Sequence, residues 1–238
     1  MKILAFDSTA KVASVAVAED DRILAAYNVD NGLTQSELLL PMAEAVLKSL
    51  CLDFSDIDAF ALTAGPGSFT GVRIGVSLVK GLAFGRKVPC VSVSTLEALA
   101  ENLRGLSGII VPCMDARRAQ VYTALFTSDG ENLTRLSPDA AMPLTELFEA
   151  LNEYKDKQIY LVGDGYDIAR KALLDMGLTA LENTPMLLRN QNAASIAKVA
   201  KRKLDLGDTV SDEAISPTYL RMPQAERERL EKMKGQKQ

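Results

Sequence analysis

The hydrophobic pattern begins with an apolar run, Ile3 to Phe6, that ends on Asp7, and side chains then alternate from Val12 to Ala18, which predicts two strands. Glu19-Asp20-Asp21 turns the chain into a third strand, Arg22 to Val29. A helical period follows from Thr34, where Thr34-Gln35-Ser36-Glu37 has the form of a capping box, to about Leu50. Two apolar stripes run along this helix, one of Leu38, Met42, Ala45, Val46 and Ser49, the other of Leu40, Ala43 and Leu47. A domain's own sheet covers one side of a helix, so the second stripe implies either a partner or a fully internal helix. Pro41 forfeits a hydrogen bond to the Glu37 carbonyl, and a kink is expected there.

Asp58 to Thr63 predicts a strand that enters Ala64-Gly65-Pro66-Gly67-Ser68-Phe69-Thr70-Gly71 and then a helix with Val72, Val76, Val79 and Ala83 apolar. Ser68 or Thr70 caps that helix. Gly71, Gly75, Gly81 and Gly85 sit in pairs four apart, each costing about 1 kcal/mol relative to alanine in a helix interior, so something must approach closely. Either a neighbouring element or a partner helix does so, or the loop cradles a phosphate with its free N–H groups. No Walker lysine and no G-x-G-x-x-G supports the phosphate reading. Val88 to Val93 is a further strand, and Ser94-Thr95-Leu96-Glu97 opens a short helix to about Leu103.

The same order then restarts. Ile109 to Asp115 is an apolar strand ending in an acid, Ala119 to Thr127 an alternating strand, Leu133 to Leu136 a third, and Leu144 to Leu151 a helix. Ile159 to Val162 runs into Gly163-Asp164-Gly165 and a helix, Tyr166 to Met176, in the place that Phe60 to Gly67 takes in the first half. A duplicated β-β-β-α-β-α unit is predicted, with one subdomain over 1–103 and a second, reduced one over 104–222. Past Gly177 the second copy shortens to a loop, a helix from Ala193 to about Leu206, and a tail marked by Pro217-Thr218-Tyr219-Leu220-Arg221 and Gln224-Ala225-Glu226-Arg227, with 223–238 as a terminal segment expected to fray from Lys232.

Composition narrows the chemistry. The 238 residues are 47% apolar, with a net charge of −4, three cysteines and no histidine. Zero histidine removes the usual general base and the commonest transition-metal ligand together. Without a tight acidic cluster no metal site is expected, and no catalytic residue is assigned. The acidic balance and 5% aromatic content argue against a surface that grips nucleic acid unaided. Cys51, Cys90 and Cys113 read as buried thiols of a reducing compartment. With no membrane-length apolar stretch and an opening run too short for a signal peptide, the cytoplasm is the expected location.

Two halves with an acid closing the first strand of each resemble the actin, sugar kinase and heat-shock ATPase superfamily, an α/β fold of the RNase H-like type. Within it, Gly65-Pro66-Gly67-Ser68-Phe69-Thr70-Gly71-Val72-Arg73-Ile74-Gly75, Ser36-Glu37 with Leu39-Leu40-Pro41, Asp115-Ala116-Arg117 with Val121-Tyr122, and Tyr219-Leu220-Arg221 with Gln224-Ala225-Glu226 are similar to the TsaB (YeaZ) family. The resemblance implies a protein needed to make threonylcarbamoyladenosine beside the anticodon of tRNAs reading codons that begin with A. It implies that the transfer is performed by a paralogous partner, TsaD, which holds a metal through two histidines on and before its first helix. This chain has Gln35 at the corresponding helix position, where its own family commonly has histidine, and Lys11 where the paralogue's phosphate loop carries an acid. The resemblance further implies that the helices Thr34 to Leu50 and Thr70 to Phe84 bundle with the partner's equivalents, and that the same surface makes homodimers when TsaD is absent. A P-loop ATPase, TsaE, and ATP or ADP at the complex junction are implied too, with tRNA met only through the complex.

The residues expected at the partner interface are therefore Ser36, Glu37, Leu40, Pro41, Ala43, Leu47, Phe69, Thr70, Arg73 and Ser77. Charge placed at Leu40 or Leu47 is expected to abolish docking and leave the fold intact. Arg73 is read as an interface anchor or a solvated side chain. Arg221 and Glu226 are expected to pin the tail onto the body or touch the partner. Asp7, with Ser8 and Thr9, has two readings, a metal–phosphate ligand and a hydrogen-bonded turn. Asp115 with Arg117 and Arg118 is open between a phosphate clamp and a salt bridge within its loop. The competing function is an independent ATP-dependent small-molecule kinase or ATPase on the same fold.

Overall fold

Ile3 and Ala5 point to one face of a strand and Leu4 and Phe6 to the other, yet all four are fully buried, so their sheet is covered on both sides. The computed structural model describes residues 1–221; the tail motif Gln224 to Arg227, including Glu226, and the Lys232 to Gln238 segment lie outside the described residues. The first half runs β1 (Lys2–Asp7), β2 (Ala13–Glu19), β3 (Arg22–Val29), α1 (Gln35–Ser49), β4 (Ala59–Gly65), α2 (Phe69–Ala83), β5 (Cys90–Ser94) and α3 (Thr95–Glu101). Its sheet has the order β3-β2-β1-β4-β5, with β1 antiparallel to β2 and parallel to β4. Among the described residues no helix is long and apolar enough to cross a membrane.

The second half repeats the plan through β6 (Ser107–Asp115), β7 (Gln120–Thr123), β8 (Phe126–Asp129), β9 (Leu133–Arg135), β10 (Ala140–Pro143), α4 (Leu144–Asn152), β11 (Ile159–Val162), α5 (Tyr166–Asp175), β12 (Leu181–Glu182) and α6 (Ala193–Asp205). The path β10-β7-β6-β11-β12 mirrors the first sheet, so the duplication holds in topology as well as in pattern. The strand predicted over Ala119 to Thr127 is split into β7 and β8. Both pair with β6 in one register, Cys113 opposite Thr123 and Ile110 opposite Phe126. The break falls where the Leu125 N–H turns aside to the Ser137 hydroxyl at 2.8 Å. The third strand, expected to stop at Leu136, resumes as β10 against β7. A short parallel strand, β12, was also missed after Gly177.

Side-chain direction alternates along the buried strands and sorts the helices into layers. Leu4, Phe6, Val15, Val17, Phe60 and Leu62 face α1 and α2, while Ile3, Ala5, Ala16, Ala61, Val91 and Val93 face α6. In the second sheet Ile109, Val111 and Leu161 face α4 and α5, while Ile110, Met114 and Phe126 face α3. Among the described residues the last helix, α6, therefore covers the first sheet, and the last helix of the first half, α3, covers the second. A division at residue 103 follows the duplication, whereas the packing interlocks the halves. Glu101, almost fully buried, joins α3 to α6 through Arg202 at 2.8 Å, with Arg104 at 3.2 Å on its other oxygen.

Helix α1 starts at the expected place, with the Thr34 N–H bound to the Glu37 carboxylate at 2.9 Å, and continues unbroken through Pro41. Its buried positions are Gln35, Leu39, Met42, Ala43, Val46 and Leu47, which form one stripe at helical spacing. The two-stripe reading is thereby corrected: Ala43 and Leu47 belong to the monomer's core, while Ala45 and Ser49 are exposed. Cys51 is a second correction, since it is exposed at the end of α1 and only Cys90 and Cys113 are buried.

Candidate functional site

Strand ends converge where the two halves meet. Asp7 closes β1 and is 1% exposed; its Oδ1 accepts hydrogen bonds from the Thr9 N–H at 2.8 Å and the Thr9 hydroxyl at 2.7 Å. Its Oδ2 has no hydrogen-bond partner, and neither has the buried Thr63 hydroxyl. Desolvation dominates and raises the Asp7 pKa to about 6, with a smaller push from the negative charge of Asp164.

Ser8 and Thr9 are as deeply buried as Asp7, and the glycine-rich turn explains why. A Cβ at Gly71 would overlap the Ser8 carbonyl, one at Gly75 the Ser8 hydroxyl, and one at Gly67 the Thr9 carbonyl. The glycines of the turn and of the first turns of α2 therefore admit the β1–β2 loop to direct backbone contact, closed further by a hydrogen bond from the Ser68 N–H to the Thr9 carbonyl at 2.8 Å. Close packing by a neighbouring element is the observed use of this face. Gly81 and Gly85 have open space instead. The nucleotide reading of Asp7, Ser8 and Thr9 is corrected accordingly, because a phosphate has no room above them.

Facing this loop, Asp115 ends β6 and its Oδ1 accepts from the Arg117 N–H at 2.7 Å, while the Arg117 guanidinium lies 3.3 Å from Oδ2. The salt-bridged loop is thus the observed arrangement. Arg117, Arg118 and Ala119 hold φ values of 65°, 55° and 53°, three successive left-handed residues that carry a side chain. The equivalent of the glycine-rich turn, Gly163-Asp164-Gly165, packs on the Cys113 carbonyl, and the Asp115 N–H donates to Asp164 at 3.3 Å. Asp164 is exposed as a residue, but protein crowding its carboxyl raises its pKa, and Asp115 adds to the rise. Burial likewise raises the Cys90 and Cys113 thiols to about 11 and about 12, so neither is an activated nucleophile. Among the described residues no group of three His, Cys, Asp or Glu side chains is arranged to hold a metal.

A strap formed by residues 217–221 fills the space between the halves. The Thr218 N–H bonds to the Ala64 carbonyl at 2.7 Å, and Gly65, at φ +122°, has the Thr218 carbonyl where a Cβ would stand. The Tyr219 ring stacks on Phe69 with centroids 4.7 Å apart, and its hydroxyl accepts from Arg73 Nε at 2.8 Å. Leu220 packs with the core between α3 and the second sheet, and Arg221 bonds the Ala116 carbonyl at 2.9 Å. Arg221 pins the tail to the body, as one of its two readings held. The space left between the strap and Pro66, Gly67 and Tyr122 is too narrow to admit even a water molecule. The residues present therefore do not fit a metal–nucleotide complex seated on Asp7.

The accessible surface lies on the far side of α1 and α2. Ser36, Glu37, Leu40 and Pro41 are exposed on α1, and Thr70, Arg73 and Ser77 on α2, with Phe69 half-buried beneath Tyr219. Glu37 is spent on the cap, since hydrogen bonds from the Thr34 hydroxyl and N–H lower its pKa. Gln35 is buried; its Nε2 bonds the Ala10 and Lys11 carbonyls at 2.9 and 3.2 Å, tying the β1–β2 loop to α1. Leu33 and Phe84, 51% and 80% exposed just before α1 and just after α2, were not singled out in the sequence as site residues. Tyr219 was named only as part of a tail motif, because nothing local announces a contact across 146 positions.

A family model described as TsaD, tRNA N6-adenosine threonylcarbamoyltransferase, matches residues 34–229. The chain is 32% identical over 235 residues to a tRNA threonylcarbamoyladenosine biosynthesis protein TsaB of Bacillus subtilis, covering 98% of this chain and all of that one. YeaZ from Pseudomonas aeruginosa superposes with a TM-score of 0.75 at 25% identity, over 92% of this chain and 99% of its own. A Listeria monocytogenes protein titled as an N-acetylmannosamine kinase superposes with a TM-score of 0.50 at 12% identity, over 87% of this chain and all of its own, and shares the fold alone. The architecture is the actin-like, sugar-kinase fold, and with near-complete coverage in both directions the chain belongs to the TsaB (YeaZ) family of tRNA threonylcarbamoyladenosine biosynthesis proteins.

Proposed function

We propose that this chain is a non-catalytic subunit for threonylcarbamoyl transfer to the adenosine beside the anticodon in tRNAs that read codons starting with A, acting by dimerising with the catalytic paralogue TsaD through the outer face of α1 and α2. The observation that carries the reading is the closed strand-end site: Asp7, Ser8 and Thr9 are covered by Gly67, Gly71 and Gly75, and the strap fills the cleft beyond them. A group that must meet a phosphate or a metal cannot act from there, and the chain holds no histidine, the usual general base, to act elsewhere. What remains open is Leu40, Pro41, Thr70, Arg73 and Ser77.

In this reading the same face forms a homodimer when TsaD is absent, the ATPase TsaE and ATP or ADP engage at the junction of the complex, and tRNA is met through the complex in the cytoplasm. Docking activates only if this chain binds the competent state of its partner more tightly than the idle one. The test mixes purified chain with TsaD and measures complex mass and tRNA modification. The chain alone is expected to modify nothing, the mixture to form a heterodimer and support transfer; absence of association at micromolar concentration overturns the reading.

The competing reading, an independent kinase or ATPase on the same fold, is opposed by the sealing of Asp7, which is 1% exposed beneath the glycine-rich turn. Steady phosphate release from ATP by the lone chain, lost in Asp7→Asn, would establish it.

A further inference from the structure

The α2 face carries two cations, Arg73 and Lys80, and its helix has no acidic residue at all. Lys80 is turned back to the Glu213 carbonyl at 3.1 Å. Arg73 differs, because among the described residues its guanidinium forms no ion pair and a single hydrogen bond, Nε to the Tyr219 hydroxyl. The guanidinium carbon also stands 5.7 Å from the Tyr219 ring centroid. Nη1 and Nη2 make no hydrogen bond among the described residues, and the geometry of the guanidinium fork matches a carboxylate.

Tyr219 is itself held from three directions. Phe69 stacks on its ring, the preceding Thr218 N–H is bonded to Ala64, and the following Leu220 and Arg221 are anchored in the second half. A tyrosine fixed in this way is a rigid peg, and it remains 40% exposed beside Arg73. Aromatic and arginine side chains that are already ordered before association lose little freedom on binding, which is the usual composition of an interface hot spot.

We propose that Tyr219 is a positioning residue of the docking face, holding Arg73 so that its guanidinium receives a carboxylate of the partner protein. The inference rests on the α1–α2 docking reading and deepens it: the partner presents a carboxylate to this face, and the strap, drawn from the far end of the described chain, is part of the binding apparatus. The other outward features of α2, Thr70 and Ser77, add hydrogen-bonding capacity but no charge.

The test is a double-mutant cycle on the dissociation constant of the full chain for purified TsaD, at several salt concentrations, with Tyr219→Phe, Arg73→Gln and the pair. Tyr219→Phe keeps the stack on Phe69 and removes only the hydroxyl, and thermal melts check that the fold persists. Arg73→Gln is expected to weaken binding by roughly tenfold or more and to flatten its salt dependence, as loss of an interface ion pair does. Tyr219→Phe is expected to weaken binding several-fold, and to add nothing in the Arg73→Gln background. Unchanged affinity in Tyr219→Phe, additive losses in the pair, or an unchanged salt slope in Arg73→Gln overturns the proposal. Leu40→Glu is measured alongside. If it abolishes binding while the Tyr219 and Arg73 variants bind normally, docking through this face stands and the positioning role falls; if none of the three alters the affinity, the docking reading itself falls.

Discussion

Of the four glycines along α2 and just past its end, Gly71 and Gly75 are pressed against the β1–β2 loop and Gly81 and Gly85 face open space, a difference that identical four-residue spacing concealed. Gly71→Ala is expected to destabilise by about 3 kcal/mol or more, since backbone rather than a flexible side chain must move aside. Gly81→Ala, in the exposed helix interior, is expected to stabilise by about 0.5–1 kcal/mol. Urea unfolding of the two variants decides the matter, and equal effects would mean that the close approach is wrong. Asp7 gives a second residue-level prediction. Its folded pKa, about 6, lies above the ordinary 3.8, so the stability it contributes is fully present below pH 3.8 and is lost as pH rises through 6. Above that window the desolvated charge costs on the order of 3 kcal/mol. Asp7→Asn keeps an acceptor for Thr9 and carries no charge. It is expected to melt higher than the parent at pH 8, with the gap closing as pH approaches 4; a gap independent of pH contradicts the buried charge. That an acid would end β1 was plain in the sequence. That it would be sealed was not, because the seal consists of missing side chains on another element.

Helix α1 shows what periodicity conveys at the scale of an element and where it misleads. Its existence, its start at Thr34 and the burial of Met42 and Val46 were legible, because capping chemistry and a 3.6-residue period are local signals. Which apolar residues face outward was not, since Leu38, Leu40 and Ala45 flank the one stripe that holds Leu39, Ala43 and Leu47, and the polar Gln35 takes a core position. The structure separates Leu40, 38% exposed, from Leu47, 2% exposed. Leu40→Glu is therefore expected to change stability by less than about 1 kcal/mol while breaking association with the partner. Leu47→Glu is expected to cost more than about 4 kcal/mol and to be recovered largely unfolded. Circular dichroism melts combined with a binding assay check both. A well-folded Leu47→Glu chain that fails to bind would restore the original reading of that residue. The split of the second hairpin strand into β7 and β8 escaped prediction for a related reason. Alternation continues through Ala124 and Leu125, and the hydroxyl that diverts the backbone, Ser137, is twelve residues away.

At the scale of the molecule, the repeat was legible because an acid-ended strand followed by an alternating one recurs, whereas the exchange of helices between halves was not. An apolar helix face says that something is covered, never which sheet. Without α6, the inner face of the first sheet would expose Ile3, Ala5, Ala16, Ala61, Val91 and Val93 to water. Without the second sheet, α3 would lose the partners of Leu96, Leu99 and Leu103. The seam between these helices adds polar bonds that neither half can satisfy alone: Glu101 to Arg202, and the Asn102 side chain to Ser195 and to the Leu188 and Asn190 carbonyls. A chain ending at residue 103 is therefore expected to remain unfolded although it contains every strand of the first sheet. The full chain is expected to unfold in one transition, seen alike by far-ultraviolet circular dichroism and by calorimetry. Supplying residues 104–238 in trans should restore structure to the fragment, because that piece carries the missing α6. A fragment that folds alone, or two separated transitions in the full chain, would mean that the halves are independent and that the strap, rather than the core, holds them together.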